Sequence, residues 1–323
     1  MRRLSLSALL ILLLARFAVA QIVQDQDRDG LNDQLEQELL AKFLPTFMIA
    51  SDDCDGLPAE FVAGSSKPTV LAKNGTVYGQ VSRHSADDNA TFLELHYYHL
   101  WSRDCGRVGH KLDPEHVSVL VTADNLDRPA SAWRARYWYA AAHENTLCDA
   151  SNAATGLALE AEDHGATVWV SGGKHASFLS EFKCRLGCGE NRCKTMKLIQ
   201  PGSVINIGEP GVPMNGAVWA KSDLWSLKAK MRPDFSEDVI ARLEESENQI
   251  VSLNIPPPPT QALLLSGNST FTALITGTGS AGDALLTGGA ESLNVTGKAL
   301  RHTGKSLLLV ARKLRLTRSD KKQ

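Results

Sequence analysis

Short apolar segments rich in aromatic and β-branched residues recur through the middle of the chain, and turn-forming residues separate them. They lie at Val77–Val81, Phe92–Leu100, His116–Thr122, Ala132–Ala141 and Thr167–Ser171. Several strands at this spacing favour an antiparallel β-sandwich over βαβ units. The predicted fold class is therefore mainly β, with the sandwich domain at 45–235.

Helical periodicity flanks the predicted sandwich on both sides. The apolar residues that share a helical face are Leu35, Leu39, Leu40 and Phe43 on one side, and Val239, Ile240, Leu243 and Ile250 on the other. The first helix ends before Pro45, since proline cannot continue it. We therefore expect a loop and helix at 21–44 and a second helix at 236–254.

The C-terminal fifth of the chain differs in composition from the rest. Four consecutive prolines make 255–260 a stiff linker, and 261–323 is a low-complexity stretch that predicts a flexible tail. From Lys298 onward, nine Lys or Arg face one acid, Asp320, and leucines recur at helical spacing. This end is either a solvated tail or a basic amphipathic helix that lies on a membrane surface.

The first twenty residues have the layout of a secretory signal peptide. Arg2 and Arg3 precede an apolar run at 4–14, and Ala18-Val19-Ala20 provides small residues for cleavage before Gln21. No later stretch reaches eighteen apolar residues, so we expect no transmembrane helix in the mature chain. The predicted location is secreted or extracellular, or periplasmic in a Gram-negative bacterium.

The 323 residues are 43% hydrophobic and 22% charged, with a formal net charge of −2. This average composition excludes a wholly disordered, collagenous or coiled-coil chain. The near-zero charge argues against a nucleic-acid-binding protein, which needs a basic surface. Because the tail is basic, the remaining body is acidic, and that excess favours cation binding.

Six cysteines in an exported protein predict three disulfides, although fifteen pairings are open. They are Cys54, Cys105, Cys148, Cys184, Cys188 and Cys193. An alternative is that the last three bind zinc together with His175. Sequons at Asn74, Asn89, Asn268 and Asn294 fit a secreted glycoprotein.

A twelve-residue acidic segment at 25–36 matches the EF-hand calcium loop at each ligand position. The expected ligands are Asp25, Asp27, Asp29, the carbonyl of Leu31, Asp33 and a bidentate Glu36. Gly30 allows the sharp turn at the sixth position. Only four mature residues precede the loop, so it is similar to the lone loops of dockerins and thrombospondin type-3 repeats. We expect calcium there to fix the N-terminus to the domain.

A second group of candidate ligands lies at 104–116. If Asp113 and Glu115 begin an extended segment, their side chains point to one face, and His110 precedes them in the loop. Asp104 lies just upstream, next to Cys105. Carboxylates beside one imidazole favour calcium, magnesium or manganese over zinc. The alternative is a solvent-facing turn with ordinary salt bridges.

The segment Gly109-His110-Lys111-Leu112-Asp113-Pro114-Glu115 resembles the Gly-His-Arg-His-Asp-Trp-Glu signature of the secreted necrosis-inducing (necrosis- and ethylene-inducing peptide-like) family. Leu112 and Pro114 depart from it. Asp104 follows an aromatic strand, as that family's upstream metal aspartate does. The resemblance implies a β-sandwich with a divalent ion in a shallow cavity at one end, where it takes part in recognising sphingolipid headgroups.

Two further segments resemble the vacuolar-protein-sorting-associated family, whose biochemistry is not settled. They are Tyr139-Ala140-Ala141-Ala142-His143 and Trp169-Val170-Ser171-Gly172-Gly173-Lys174-His175-Ala176-Ser177. Both resemblances together span about residues 38–200.

Histidines are concentrated in the predicted sandwich and open an enzymatic alternative. They are His96, His99, His110, His116, His143 and His175. With Asp113 and Glu115 they could activate a metal-bound water for hydrolysis, with His143 and His175 as the catalytic partners. No HExxH or GxSxG pattern is present. The resemblance to the necrosis-inducing family implies a metal-dependent binding protein for glycan or lipid headgroups, and the alternatives are a hydrolase or a purely structural protein.

Overall fold

The computed structural model describes residues 24–84, 92–106, 109–144, 149–187, 193–246 and 249–253. The predicted signal peptide, the linker at 255–260 and the tail at 261–323 lie outside these residues. So do three of the four sequon asparagines, Asn89, Asn268 and Asn294. Within the described ranges, no helix is long and apolar enough to cross a membrane.

The described residues form a mainly β structure with a few short helices. The strands are β1 Thr46–Ala50, β2 Ala59–Phe61, β3 Val70–Lys73, β4 Val77–Arg83, β5 Phe92–Arg103, β6 Lys111–Thr122, β7 Arg134–Ala140, β8 Asn152–Thr155, β9 Thr167–Val170, β10 Ser177–Phe178, β11 Met196–Ile199, β12 Val204–Asn206, β13 Gly208–Glu209, β14 Val212–Pro213 and β15 Val251–Ser252. The α-helices are α1 Asp33–Lys42, α2 Glu181–Leu186, α3 Leu227–Lys230 and α4 Glu237–Glu244. Three 3₁₀ turns span Ala130–Ala132, Leu157–Leu159 and Val218–Lys221.

Two sheets face each other and make the predicted sandwich. The larger has the strand order β12-β4-β5-β6-β7-β8-β15, and the smaller has the order β10-β9-β1-β11. Pairing is antiparallel except for β1 with β9 and β4 with β12. The prediction of a mainly antiparallel sandwich is confirmed, with these two parallel pairs as the exceptions.

The core lies between the sheets because alternate residues of each strand point inward. On β5 and β6 the inward side chains include Leu95, Tyr97 and Val119, which pack against Phe47 and Val168 of the smaller sheet. The outer face of the larger sheet is also buried, because chain segments after β12 cover it with a second set of apolar residues. Both faces of β5 and β6 are therefore shielded from water.

All five predicted strands are present, with two instructive differences in their bounds. β7 starts at Arg134 instead of Ala132, because Ala130–Ala132 form a 3₁₀ turn. β6 starts five residues earlier than predicted, at Lys111, and includes Pro114. Proline fits there because β7 pairs with β6 only from Val117 onward, so no neighbouring strand on that side needs the missing N–H.

Two disulfides join described cysteines, Cys54 with Cys105 and Cys184 with Cys193. Cys148 and Cys188 lie outside the described residues. The alternative that Cys184, Cys188 and Cys193 bind zinc with His175 is wrong, because two of those sulfurs are joined to each other. The first disulfide ties the loop after β1 to the loop after β5, at one end of the sandwich.

Candidate functional site

The acidic loop at 25–36 folds as a compact turn leading into α1. The Gly30 N–H donates to Asp25 Oδ2 at 3.2 Å, and the Leu31 N–H donates to Asp29 Oδ1 at 2.7 Å. Gly30 has a φ of +85°, which a residue with a side chain rarely adopts. Asn32 caps the helix by accepting from the N–H of Gln34 and of Leu35. These bonds turn the carboxylates inward.

The carboxylates of this loop converge, and several of their oxygens accept no hydrogen bond. Ligand oxygens of Asp25, Asp27 and Asp29 lie within 4.8 Å of one another, and so do those of Asp27, Asp33 and Glu36. Five buried oxygens accept no hydrogen bond from any described residue. They are Asp25 Oδ1, both oxygens of Asp27, Asp29 Oδ2 and Glu36 Oε1. Buried carboxylate oxygens without donors are costly unless a cation binds between them.

The electrostatics of the loop point the same way. Burial and the nearby charge of Asp29 together raise the pKa of Asp27 to about 6. Burial, together with Asp27, raises the pKa of Glu36 to about 9. Asp33 is satisfied differently, because both its oxygens accept from Gln26. The loop therefore groups several carboxylate oxygens, which are the kind of ligand that a hard divalent cation prefers.

The loop is anchored to the larger sheet at two points. Arg83 of β4 donates to the Gly30 carbonyl at 2.6 Å, and Asn206 of β12 donates to Glu36 Oε2 at 3.1 Å. Leu39 and Leu40 of α1 are fully buried in the core. A cation in the loop would thus stabilise the contact between the N-terminal segment and the sandwich.

A second charged group, here called the end cluster, lies where several loops meet at one end of the sandwich. Its members are Asp53, Asp104, Asp113, Glu115, Lys174, His175 and Lys230. Asp53 follows β1, Asp104 follows β5, Asp113 and Glu115 lie near the start of β6, and Lys174 and His175 lie between β9 and β10. Lys230 ends α3. The fold therefore brings together residues that are far apart in sequence.

His175 is the centre of this cluster. Its Nδ1 lies 2.8 Å from Asp113 Oδ2 and its Nε2 lies 3.2 Å from Asp53 Oδ2. Its ring stacks on Trp101 with centroids 3.9 Å apart. Burial alone would lower the pKa of His175, but the bonds to Asp113 and Asp53 outweigh burial and raise it to about 9. His175 is therefore an imidazolium at neutral pH.

The other two carboxylates of the end cluster are paired with lysines. Asp104 Oδ2 lies 2.5 Å from Lys174 Nζ, and Glu115 Oε2 lies 3.0 Å from Lys230 Nζ. Burial, with the charge of Asp113, raises the pKa of Glu115. Lys230 stays charged, because the surrounding carboxylates raise its pKa despite its burial. Four acidic groups thus face three cationic ones.

The four predicted metal ligands at this end are near one another without forming a closed cage. His110 Nε2 lies 3.8 Å from Asp104 Oδ2, and Asp113 and Glu115 are alternate residues of β6. Within the described residues, no three of them bring ligand atoms within 4.8 Å of one another. Each carboxylate already has a cationic partner from the protein. A divalent ion bound by all four stays a prediction.

The two predicted catalytic histidines differ in environment. His175 is held between two aspartates, and its protonated state does not suit a general base. His143 follows β7 with a left-handed backbone, φ +56°. A third histidine, His99, is 2.8 Å from Ser177 Oγ, and its Nδ1 accepts from the Trp101 indole N–H. The proton of neutral His99 is therefore on Nε2, so His99 donates to Ser177 and does not activate it.

Sequence reasoning missed a third cluster, on the outer face of the larger sheet. His96 and His116 project from β5 and β6 toward Asp234, and ligand atoms of the three side chains lie within 4.8 Å of one another. All three are buried. Outward-facing histidines on adjacent strands were a detectable signal. Asp234 was not detectable, because it lies 116 residues or more from its partners and belongs to no motif.

Comparison with known proteins gives distant structural neighbours and no sequence relatives. No family model and no curated protein matches the chain. Among solved structures, NLPPya in complex with glucosamine is 15% identical with a TM-score of 0.35, covering 67% of this chain and 86% of that one. NLPPya in complex with mannosamine is 16% identical with a TM-score of 0.34, covering 57% and 78%.

A third neighbour is Necrosis and Ethylene inducing Protein 2 from the causal agent of cocoa's witches' broom disease. It is 15% identical with a TM-score of 0.34, covering 69% of this chain and 97% of that one. The structural neighbours are thus necrosis- and ethylene-inducing proteins. Similarity at these TM-scores does not establish the fold. The fold is described instead from the arrangement of the two sheets.

Proposed function

We propose that this protein is an extracellular, calcium-stabilised binding protein that recognises a polyhydroxylated ligand, a glycan or a glycolipid headgroup, at the end cluster. The observation that carries the proposal is the buried, mixed-charge array around His175. The disulfides fit an oxidising compartment, where such proteins act. The signal peptide and the membrane-touching tail remain predictions.

Calcium bound in the acidic loop would hold the N-terminal segment in its folded conformation. Calcium takes six to eight oxygen ligands at 2.3–2.6 Å, often with a bidentate glutamate in the last position of the loop. The unpartnered oxygens of Asp25, Asp27, Asp29 and Glu36 are such ligands. The Leu31 carbonyl, and Asp33 directly or through water, complete the proposed set.

The end cluster offers donors and acceptors side by side. Asp104 and Glu115 provide carboxylate oxygens that accept, while Lys174 and Lys230 provide ammonium groups that donate. A sugar hydroxyl both donates and accepts, so a vicinal diol is complementary to such an acid–ammonium pair. Hydrogen bonds to charged groups are also stronger than neutral ones. A polyol is therefore the ligand class that the array fits best.

Backbone strain at this end supports a binding role. His175 has a φ of +50° and Leu112, next to Asp113, a φ of +62°. Non-glycine residues in this conformation cost about 1 to 3 kcal/mol and concentrate at ligand-binding and active sites. The Cys54–Cys105 disulfide restrains the loops at this end.

The divalent ion predicted at Asp104, His110, Asp113 and Glu115 belongs to the same proposal. Carboxylate oxygens there suit calcium, magnesium or manganese, which would present a further positive charge to ligand hydroxyls. For the ion to bind Asp104, it has to displace the Lys174 ammonium. Lys174→Met, which keeps the length of the side chain, should therefore raise the affinity for the ion.

Recognition is favoured over hydrolysis by the protonation of the histidines. His175 is an imidazolium, and His99 gives its proton to Ser177 instead of taking one. The array is arranged to hold charges in fixed positions, which serves binding.

The test is calorimetric titration of the mature chain with glucosamine, which carries an ammonium group and hydroxyls, and with glucose as the uncharged comparison. We expect saturable binding of glucosamine that weakens at least tenfold in Glu115→Gln and in Lys230→Met. Glu115→Gln keeps a hydrogen-bonding side chain of the same shape, so the fold should persist. The matched control is Asp124→Asn, which lies just beyond the opposite end of β6.

Equal affinity in wild type and Glu115→Gln would place any binding elsewhere on the protein. Lack of binding to glucosamine, to glucose and to vesicles containing a glycosylated sphingolipid would contradict the proposed function. Unfolding curves for each variant distinguish lost binding from lost structure.

A further inference from the structure

A buried site with the ligand set of a transition metal lies on the outer face of the larger sheet, apart from the acidic loop and the end cluster. His96 of β5 pairs across the strands with Ser118 of β6, and Tyr98 pairs with His116, so the two histidines are diagonal neighbours. Asp234, which precedes α4, closes over them. The three residues are the outer-face cluster.

The distances in this cluster match those between ligands of one metal ion. Asp234 Oδ2 lies 3.1 Å from His116 Nε2 and 3.5 Å from His96 Nδ1. Zinc binds nitrogen and carboxylate oxygen at about 2.0–2.1 Å, so two ligands in a tetrahedral site are about 3.3 Å apart. The observed separations lie on either side of that value.

One ring nitrogen of His96 points toward Asp234 and makes no hydrogen bond there. Its Nδ1 is buried and accepts or donates no hydrogen bond among the described residues. The side chain of His96 is only 2% exposed, and those of His116 and Asp234 are 0% and 2% exposed. This nitrogen is therefore out of contact with bulk solvent. A lone pair buried next to a carboxylate oxygen is where a metal ion would bind.

A second layer of bonds holds His96 and Asp234 in place. His96 Nε2 lies 3.0 Å from Glu94 Oε1, which fixes the ring with Nδ1 toward Asp234. Ser118 Oγ donates to Asp234 Oδ2 at 2.7 Å, and the Asp234 N–H donates to Glu94 Oε1 at 2.6 Å. A histidine that binds metal through one nitrogen almost always donates the other N–H to a carboxylate or carbonyl.

The two acidic groups of this region, Glu94 and Asp234, also favour a bound cation. The side chains of Glu94 and Asp234 are only 1% and 2% exposed. Glu94 and Asp234 are thus two acidic groups buried beside two imidazoles. A divalent ion would neutralise them while leaving both imidazoles uncharged.

We propose that His96, His116 and Asp234 bind a divalent transition-metal ion, with zinc as the test ion, and that Glu94 positions His96 for this role. Two imidazoles and one carboxylate are characteristic zinc ligands. Because Asp234 comes from the segment that leads into α4, the ion would hold the C-terminal part of the described chain on the sheet.

The test uses the full mature chain, stripped by chelator and then saturated with calcium so that the acidic loop does not take up zinc. We expect one zinc per chain by elemental analysis and a rise in the unfolding temperature on zinc addition. Cobalt should give the intense visible absorption of a tetrahedral site. These three measurements need no variant, and failure of zinc to bind would overturn the proposal.

Variants then locate the ion. Asp234→Asn keeps the shape of the side chain and should weaken zinc binding at least tenfold and abolish the cobalt spectrum. Glu94→Gln should weaken binding about 10- to 100-fold, as for other residues that orient a ligand. His164→Gln removes an exposed imidazole elsewhere and should leave both readouts unchanged. Zinc binding that survives unchanged in Asp234→Asn would assign the metal to another site.

Discussion

Removal of calcium should make the stability of this protein fall as the pH rises, and Glu36 is the residue responsible. In the cation-free loop, burial and the charge of Asp27 raise the pKa of Glu36 from 4.5 to about 9. In the unfolded chain that carboxyl returns to its ordinary pKa. The folded state therefore binds one more proton than the unfolded state between these two values.

The sign and the magnitude follow from that difference. The contribution of Glu36 to the unfolding free energy is fully present below pH 4.5. It is lost as the pH rises toward 9, at about 1.4 kcal/mol per pH unit. Through Glu36 alone, the cation-free protein should lose about 4 kcal/mol of unfolding free energy between pH 5 and pH 8. For a domain of this size, that is roughly 10 °C in unfolding temperature. Bound calcium keeps Glu36 ionised and removes the loss.

The assay is thermal unfolding from pH 5 to pH 8 in excess calcium and in excess chelator. The two curves should diverge as the pH rises, and calcium binding at pH 7 should release about one proton, measured by calorimetry in buffers of different ionisation enthalpy. Glu36→Gln should be insensitive to calcium and, in chelator at pH 8, more stable than wild type. Glu38→Gln, an exposed glutamate on the same helix, is the matched control. Parallel curves with and without calcium would refute the reasoning.

Three other changes test the packing around the two charged regions. Gly79→Ala should lower the unfolding free energy by about 1 to 3 kcal/mol and weaken calcium binding. A Cβ at this position would lie 2.6 Å from the side chain of Leu40 on α1, the helix that carries Glu36. Denaturant unfolding and calcium titration check this. Replacing Cys54 and Cys105 together by serine should lower the unfolding free energy by about 4 kcal/mol, since the bond closes a loop of 51 residues. The same change should weaken glucosamine binding. An unchanged unfolding midpoint would argue against a stabilising role for this disulfide. In calcium-saturated protein, stability should fall by about 3 kcal/mol as the pH rises from 6.5 to 9, because His175 has a raised pKa of about 9 and loses its charge there; a His175→Gln variant should show a flatter pH profile.

The sequence was informative for structural features that lie within one short segment of the chain. The strand at Phe92–Arg103 was predicted at Phe92–Leu100 from its apolar and aromatic residues, which follow the turn residues at 87–89. The acidic loop was also local, because all its ligand positions fall within twelve residues and the turn depends on Gly30. Both predictions therefore depended on local sequence alone.

The end cluster and the outer-face cluster depend on contacts between distant segments. Lys174, His175 and Lys230 neutralise carboxylates that sequence reasoning assigned to a metal ion, and no spacing rule indicated that they would meet Asp104, Asp113 and Glu115. The prediction likewise started β6 at His116, whereas the strand starts at Lys111 and its unpaired side accommodates Pro114. Only the sheet order places these residues together.

The central claim is that the end cluster is the ligand-binding site, and histidine resonances test it most directly. In protein labelled with ¹⁵N at the histidine rings, titration with glucosamine should shift the signals of His110 and His175 saturably, while those of His96 and His116 stay in place. Signals that do not move at His175, or that move equally at all four histidines, would contradict the account.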